Sequence, residues 1–336
     1  MSDPLEQQFQ APTPPPLPEA GPAAPRPIKL RPVAIALFVV GLLVLVGGIA
    51  KFVPGGIGTG GALAFFGIVL FALSFIPLPQ LPDSEPPLSP VQKVTGVFYE
   101  PTRVFRNLRI HPHWLAAYLL VVVLSAVYSI AFTQRVTPER IVNHTIEKLG
   151  EIGPPFAPAP EKLESMRATQ LEDAKNPIQR AGAVAKIFVG AFCFTALMAA
   201  LYLLGILAFG GRINFWQALA VTIYATLPVV VIQKVLSLVI LYVKAPEDIH
   251  PILGQESLVQ DNLGVLFSPA DHPVLFVLAS SIGILSFYGL WLKATGLRNG
   301  GTKVSSGAAW GVAITFWLLG LMLITIITAL FPNFIS

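Results

Sequence analysis

Lys234 is the side chain in this sequence whose surroundings most demand a chemical explanation. It follows Gln233 inside an apolar stretch, Gln217–Val243, that also holds Tyr224 and Pro228. Ten residues separate it from Lys244, roughly 15 Å of helix rise, which puts its ammonium near mid-membrane if the stretch crosses a bilayer. A charge at that depth costs about 3 kcal/mol on insertion scales. It requires a partner, a water-filled cavity, or a tilt that lets the side chain snorkel to an interface. Pro228 can kink the helix and free a carbonyl one turn earlier, near Tyr224. Tyr224, Pro228, Gln233 and Lys234 are therefore the candidate intramembrane polar site, and the chemistry they suit is passage of a small solute. None of the apolar stretches contains an acidic residue, so Lys234 can meet a carboxylate only if a loop folds inward.

A second candidate is the segment VQKVTGVFYEPTRVFRNLRI, residues 91–110. Val94, Val97, Phe98, Pro101, Phe105 and Leu108 recur at three- and four-residue spacing, and Arg103, Arg106 and Arg109 occupy the other side. The pattern predicts two interfacial helices broken at Glu100-Pro101, with the arginines on anionic lipid headgroups or on a cytosolic partner.

Other chemistry finds no residues. The five histidines, His111, His113, His144, His250 and His272, include no pair at the i, i+4 spacing of metal ligands on one helix face. Cys193 is the one cysteine, so neither an intramolecular disulfide nor a cysteine metal cage forms. The stretch Gly55–Gly61 lacks the Lys-Ser/Thr ending of a phosphate loop and reads as a turn. No nucleophile–base pair, paired carboxylates or zinc-protease signature is present. The expectation is a protein that is not an enzyme and has no cofactor or metal.

These residues need a membrane to position them. Of 336 residues, 54% are hydrophobic and 12% charged, against about 25% charged in soluble proteins. Seven stretches are long and apolar enough to span, at about 17–25 residues each: Val33–Ala50, Gly61–Ile76, Trp114–Thr133, Val184–Phe209, Gln217–Val243, Pro273–Leu292 and Ala308–Phe331. The fold class is all-α, a polytopic membrane helix bundle. The net charge of +4 sits in basic residues beside these stretches, which points to lipid headgroups and away from nucleic acid.

Residues 1–32 are rich in proline and alanine and predict a disordered tail, too long and proline-rich for a secretory signal. Its PxxP spacing fits a proline-binding module, although composition alone accounts for it. A transmembrane hairpin follows over 33–76, then a proline-rich linker over 77–90, then a membrane domain over 91–331. Within that domain the loop 134–182 predicts two short helices. One opens at Thr137-Pro138-Glu139 and ends near Gly150, and the other runs from Pro160 to just before Asn176-Pro177.

Cytoplasmic loops carry the excess of lysine and arginine. Arg26, Lys29, Arg31, Lys93, Arg103, Arg106, Arg109, Arg212, Lys293, Arg298 and Lys303 fall on one side, whereas the opposite short loops hold Lys51 and Lys244. The loop 134–182 mixes both signs and carries less weight. The N-terminus is expected in the cytoplasm and the C-terminus on the far side, in the inner membrane if the host is bacterial.

The order of motifs is distinctive. FYEPTRVF precedes a span opening at Pro112-His113-Trp114, then a charged loop, then FWQALAVTIYATLP, and finally Gly289-Leu290-Trp291 running into LKATGLRNGGTKVSSGAAWGV. It resembles the Yip (Ypt/Rab-interacting-protein) domain family in its prokaryotic form, over roughly residues 89–331. The resemblance implies a five-span domain with a cytosolic N-terminus and the C-terminus on the far side. Eukaryotic members bind prenylated Rab GTPases and act in transport between endoplasmic reticulum and Golgi. Their tyrosine-glycine-proline stretch stands here as Tyr99-Glu100-Pro101, without the glycine, so Rab binding is not carried over. The first expectation is a membrane scaffold or adaptor with 91–110 as its cytosolic face, touching anionic lipid and a protein partner or a second copy. The alternative is a small-solute permease or channel along Tyr224–Lys234.

Overall fold

In a computed structural model the chain is described over residues 26–79, 85–151 and 158–332. Most of the tail expected over 1–32, the middle of the 77–90 linker and part of the proline-rich break in the 134–182 loop lie outside those residues. What is described is helical. The first pair is α1 (Leu30–Ile49) and α2 (Gly56–Leu73), followed by α3 (Pro90–Tyr99), α4 (Pro101–Ile110) and α5 (Leu115–Val136). Next come α6 (Pro138–Gly150), α7 (Pro160–Lys175), α8 (Pro177–Ala208) and α9 (Phe215–Val243). The last are α10 (Leu253–Glu256), α11 (Pro273–Ser280), α12 (Ile284–Gly300) and α13 (Ser306–Leu330). Among the described residues, six helices, α1, α2, α5, α8, α9 and α13, are long and apolar enough to cross a membrane.

α9 is the axis of the bundle, with α5, α8, α12 and the short α3 and α4 packed around it. Its stretch Ala218–Ala225 is buried throughout. A helix that is apolar on every face belongs in such a position, since it has no polar side to turn outward. The other spans keep one face for the bundle and leave Leu43, Val123, Phe194 and Leu323 outward, as lipid-facing helices do.

The α1–α2 pair departs from expectation in one respect. The glycine-rich segment read as a turn is largely helix, because α2 begins at Gly56 and only Gly55, at φ +68°, turns the chain. The reason lies across the pair. A Cβ on Gly41, Gly48 or Gly60 would run into the backbone of the facing helix. In lipid, where apolar area gives no drive for helix association, small residues that let backbones approach closely hold a pair together. The hairpin then docks through Phe66, which is buried between Phe188 and Phe192 at ring-centroid distances of 5.8 and 5.1 Å.

The 134–182 loop holds the helices α6 and α7, each beginning at a proline. The Thr137 hydroxyl accepts the Arg140 amide and opens α6, and the Asn176 side chain accepts the Ile178 and Gln179 amides and opens α8.

The expected single span Pro273–Leu292 is instead two helices. α11 ends at Ser280 and α12 begins at Ile284, and the intervening Ser281-Ile282-Gly283 pairs with a loop. Hydropathy could not register this, because the segment that interrupts the helix is distant in sequence. The Leu263 amide donates to the Ile282 carbonyl at 3.1 Å, and the Ile284 amide donates to the Asp261 carbonyl at 3.3 Å. The chain still returns across the bundle. Reciprocal hydrogen bonds between Arg212 and Thr302 hold the end of α12 beside the start of α9. α12 alone, with 17 residues, rises about 25 Å.

Candidate functional site

The bundle has two distinct ends. At one, α3 and α4 form a platform across the start of α9. Ser89 and Gln92 make a capping box at the head of α3, and the chain breaks at Glu100-Pro101, where a proline can begin a helix but not continue one. The apolar spacing of 91–110 is used for packing: Val97, Val104, Phe105 and Leu108 are at most 1% exposed, and α4 lies on α12 and α9.

Buried amides fasten the platform. Gln217 Nε2 donates to the Arg109 carbonyl at 2.6 Å, while its Oε1 accepts the Asn214 amide. Asn107 Nδ2 donates to the Pro86 carbonyl at 3.0 Å, and Trp216 Nε1 donates to the Ile76 carbonyl at 3.1 Å.

Arg103 and Arg106 are left exposed on the outer face, and Arg109 is half-buried. Arg103 pairs with Glu100 at 3.0 Å across one helical turn, and that carboxylate holds its guanidinium above its ordinary pKa. Arg106 and Arg298 line one cavity of about 430 Å³ together with Thr102, Thr295, Asn299, Trp291 and Trp310. No carboxylate lines it. Two guanidiniums with hydroxyl and amide neighbours and aromatic walls suit an anionic headgroup.

At the other end the loop between α9 and α11 folds into the bundle. Tyr128 of α5 donates its hydroxyl to the Gly254 carbonyl, and Lys234 donates to the Glu256 carbonyl. The Lys234 ammonium also lies 4.6 Å from the centre of the Tyr128 ring, a cation–π contact. Ser237 accepts the Leu258 amide at 2.9 Å, and Asp261 Oδ2 accepts the Leu285 amide at 2.7 Å at the head of α12. Thus Lys234 meets a backbone carbonyl and an aromatic face with the Glu256 charge acting on it, and Asp261 serves a helix end.

Between these groups is a cavity of about 560 Å³ whose polar lining includes Gln233, Glu256, Ser257, Asp261, Ser280 and Ser286. Beside it, the His144 and His250 rings meet edge to face at 5.1 Å, and burial lowers the pKa of both.

The four residues of the proposed intramembrane site do not converge. Tyr224 is fully buried, with a hydroxyl that has no hydrogen-bond partner among the described residues, and it lines a cavity under the platform. Gln233 and Lys234 belong to the opposite end, and the helix between packs solid at Ala225 and Leu227. Pro228 is buried inside α9 without ending it. Three residues given no site role from the sequence prove structural or chemical: Asp261, Gln217 and Lys93. Gln217 was within reach, since Asn214-x-x-Gln217 is a capping-box pattern. Asp261 and Lys93 carry no local signal. Among the described residues no group of three His, Cys, Asp or Glu side chains is placed to hold a metal ion.

A family model of the Yip1 domain matches residues 95–327, more than two thirds of the chain. The chain belongs to the Yip1 domain family. The Yip1 match starts within α3 and ends within α13, so it contains the arginine face and the inward loop and leaves the α1–α2 hairpin outside. No curated protein and no solved structure matches the chain. It is an integral, multi-pass membrane protein of Yip1 type.

Proposed function

We propose that this Yip1-type protein is a non-enzymatic membrane scaffold or adaptor of the prokaryotic branch, presenting the α3–α4 platform to the cytoplasm. One observation carries the reading. Val97, Val104, Phe105 and Leu108 are buried against the bundle, and the outward side of the platform carries Arg103 and Arg106, beside a cavity shared with Arg298, together with Val91 and Tyr99 of α3. That surface suits acidic groups, whether anionic headgroups or an acidic segment of a protein partner or second copy. The excess of basic residues at this end supports a cytoplasmic platform. The absence of glycine at Tyr99-Glu100-Pro101 supports a role without Rab GTPases.

The test is co-purification in mild detergent from the native membrane, comparing the wild-type protein with the Arg103→Gln/Arg106→Gln double variant. A partner lost only from the variant supports the scaffold. An unchanged set of partners removes the platform from the proposal. Reporter fusions to the C-terminus test orientation, and a cytoplasmic signal would overturn it.

A second reading is favoured by the polar cavity at the α11–α12 break, since helices interrupted within a membrane often line solute paths. It predicts that protein sealed in vesicles moves a small solute and that Lys234→Leu stops it. Flux of that kind would sink the scaffold reading.

A further inference from the structure

Beneath the platform, Lys93 of α3 is 1% exposed. Its ammonium donates to the His111 carbonyl at 2.9 Å, and among the described residues no carboxylate bridges it. An ammonium has three donors, and a buried charge without a counter-ion is strongly disfavoured. The side chain borders a cavity of about 530 Å³ whose walls are otherwise nearly all apolar, among them Leu30, Leu88, Trp114, Leu119 and Trp216. That volume lies within the range of about 300–1,000 Å³ typical of ligand clefts. No acidic residue lines it. Its polar groups gather at two levels. Lys93 and His113 stand at the platform, and Tyr224, with its unpartnered hydroxyl, lies eight residues further along α9 than Trp216, about 12 Å of rise. Leu115 and Leu119, 54% and 43% exposed, open the cavity sideways on the lipid-facing surface of α5.

A cation at the headgroup level above an apolar slot that opens laterally has the chemistry of one ligand class. We propose that this cavity binds one anionic lipid from the leaflet on the platform side, with its acidic headgroup on the Lys93 ammonium and an acyl chain in the slot between α1, α5 and α9. The site is separate from the Arg106–Arg298 cavity and stands whether or not the platform binds a protein. Burial lowers the Lys93 pKa to about 8, and burial, followed by the nearby Lys93 charge, lowers that of His113, so an anion here stabilises both cationic forms.

The full chain, stripped of lipid in a non-ionic detergent, is titrated with phosphatidylglycerol and with phosphatidylcholine of the same acyl chains, and bound lipid is counted by native mass spectrometry. One phosphatidylglycerol per chain is expected at this site, whatever binds at the Arg106–Arg298 cavity, held about tenfold tighter than phosphatidylcholine. Lys93→Gln removes that preference and Lys93→Arg keeps it. Leu119→Trp, which fills the mouth and leaves Lys93 in place, weakens both lipids and decides the matter if Lys93→Gln does not fold. Arg106→Gln leaves the tight site unchanged. Equal affinity for the two lipids overturns the proposal. So does a preference that follows Arg106 instead of Lys93, or full binding by Leu119→Trp. Displacement of phosphatidylglycerol by millimolar inorganic phosphate would assign the site to a free anion and overturn the lipid.

Discussion

The two ends of α9 are closed by different means. At the platform end neutral amides, Gln217 and Asn107, bond to backbone carbonyls in a tightly packed setting where each is at most 4% exposed. At the other end a long loop is drawn inward by Tyr128, Lys234 and Ser237, and Asp261 caps a helix that begins partway along the bundle. A neutral amide can be buried cheaply if all its bonds are made, whereas a charged group keeps a need for water or a counter-charge. The first end is fastened by neutral amides and holds one buried ammonium, Lys93, beside an apolar slot. The second keeps ionisable groups beside a polar cavity.

Removing a platform amide should have the largest effect on this contrast. Gln217→Leu leaves the Arg109 carbonyl and the Asn214 amide without their partner and should lower stability by about 3 kcal/mol, read from thermal unfolding in detergent. A loss no greater than that of Asp261→Ala would erase the distinction between the ends. Asp261→Ala removes the cap of α12 and should cost about 1–2 kcal/mol. Amide exchange should quicken at Ile284–Ser286 and not at α3 and α4.

Lys234→Met gives up the Tyr128 cation–π contact and one bond to the Glu256 carbonyl while removing a charge, so a net loss of about 1 kcal/mol or less is expected. A gain in stability would mean that the charge is held there for function.

The ends should separate with pH too. His144 and His250 have pKa values lowered from 6.5, chiefly by burial, so below about pH 6.5 the unfolded chain takes up protons before the folded one. Stability at the loop end is thus lost on acidification. Lys93, lowered by burial from 10.5 to about 8, sheds its proton first when folded, so stability of the lipid-free protein rises from about pH 8 to 10.5. Melting curves of His144→Gln and Lys93→Gln should each flatten one limb and leave the other.

Much of this was legible in the residues. The break at Glu100-Pro101, the start of α6 at Pro138 and the α7–α8 junction at Asn176-Pro177 follow from caps and prolines, whose effects act within one turn. The candidate site was only partly so. Tyr224 and Lys234 share a helix and a polar character, yet meet different groups toward opposite ends, because ten residues of helix carry a side chain too far along the bundle to act with its neighbour in sequence. The glycines near residue 55 read as a turn because their use, backbone contact with α1, depends on a facing helix.

Hydropathy, proline placement and cap residues by themselves determined a multi-pass helical membrane protein and the bounds of most helices, while the family was legible only as a resemblance in the order of motifs. Each of those signals acts over a stretch of chain no longer than one span. The tertiary structure alone decided that α9 is the axis, that Asp261 meets the break in the sixth apolar segment, and that Lys93 is a buried cation beside an apolar slot. These depend on which distant residues meet, and contact between elements depends on shape and on paired polar groups that no single segment contains.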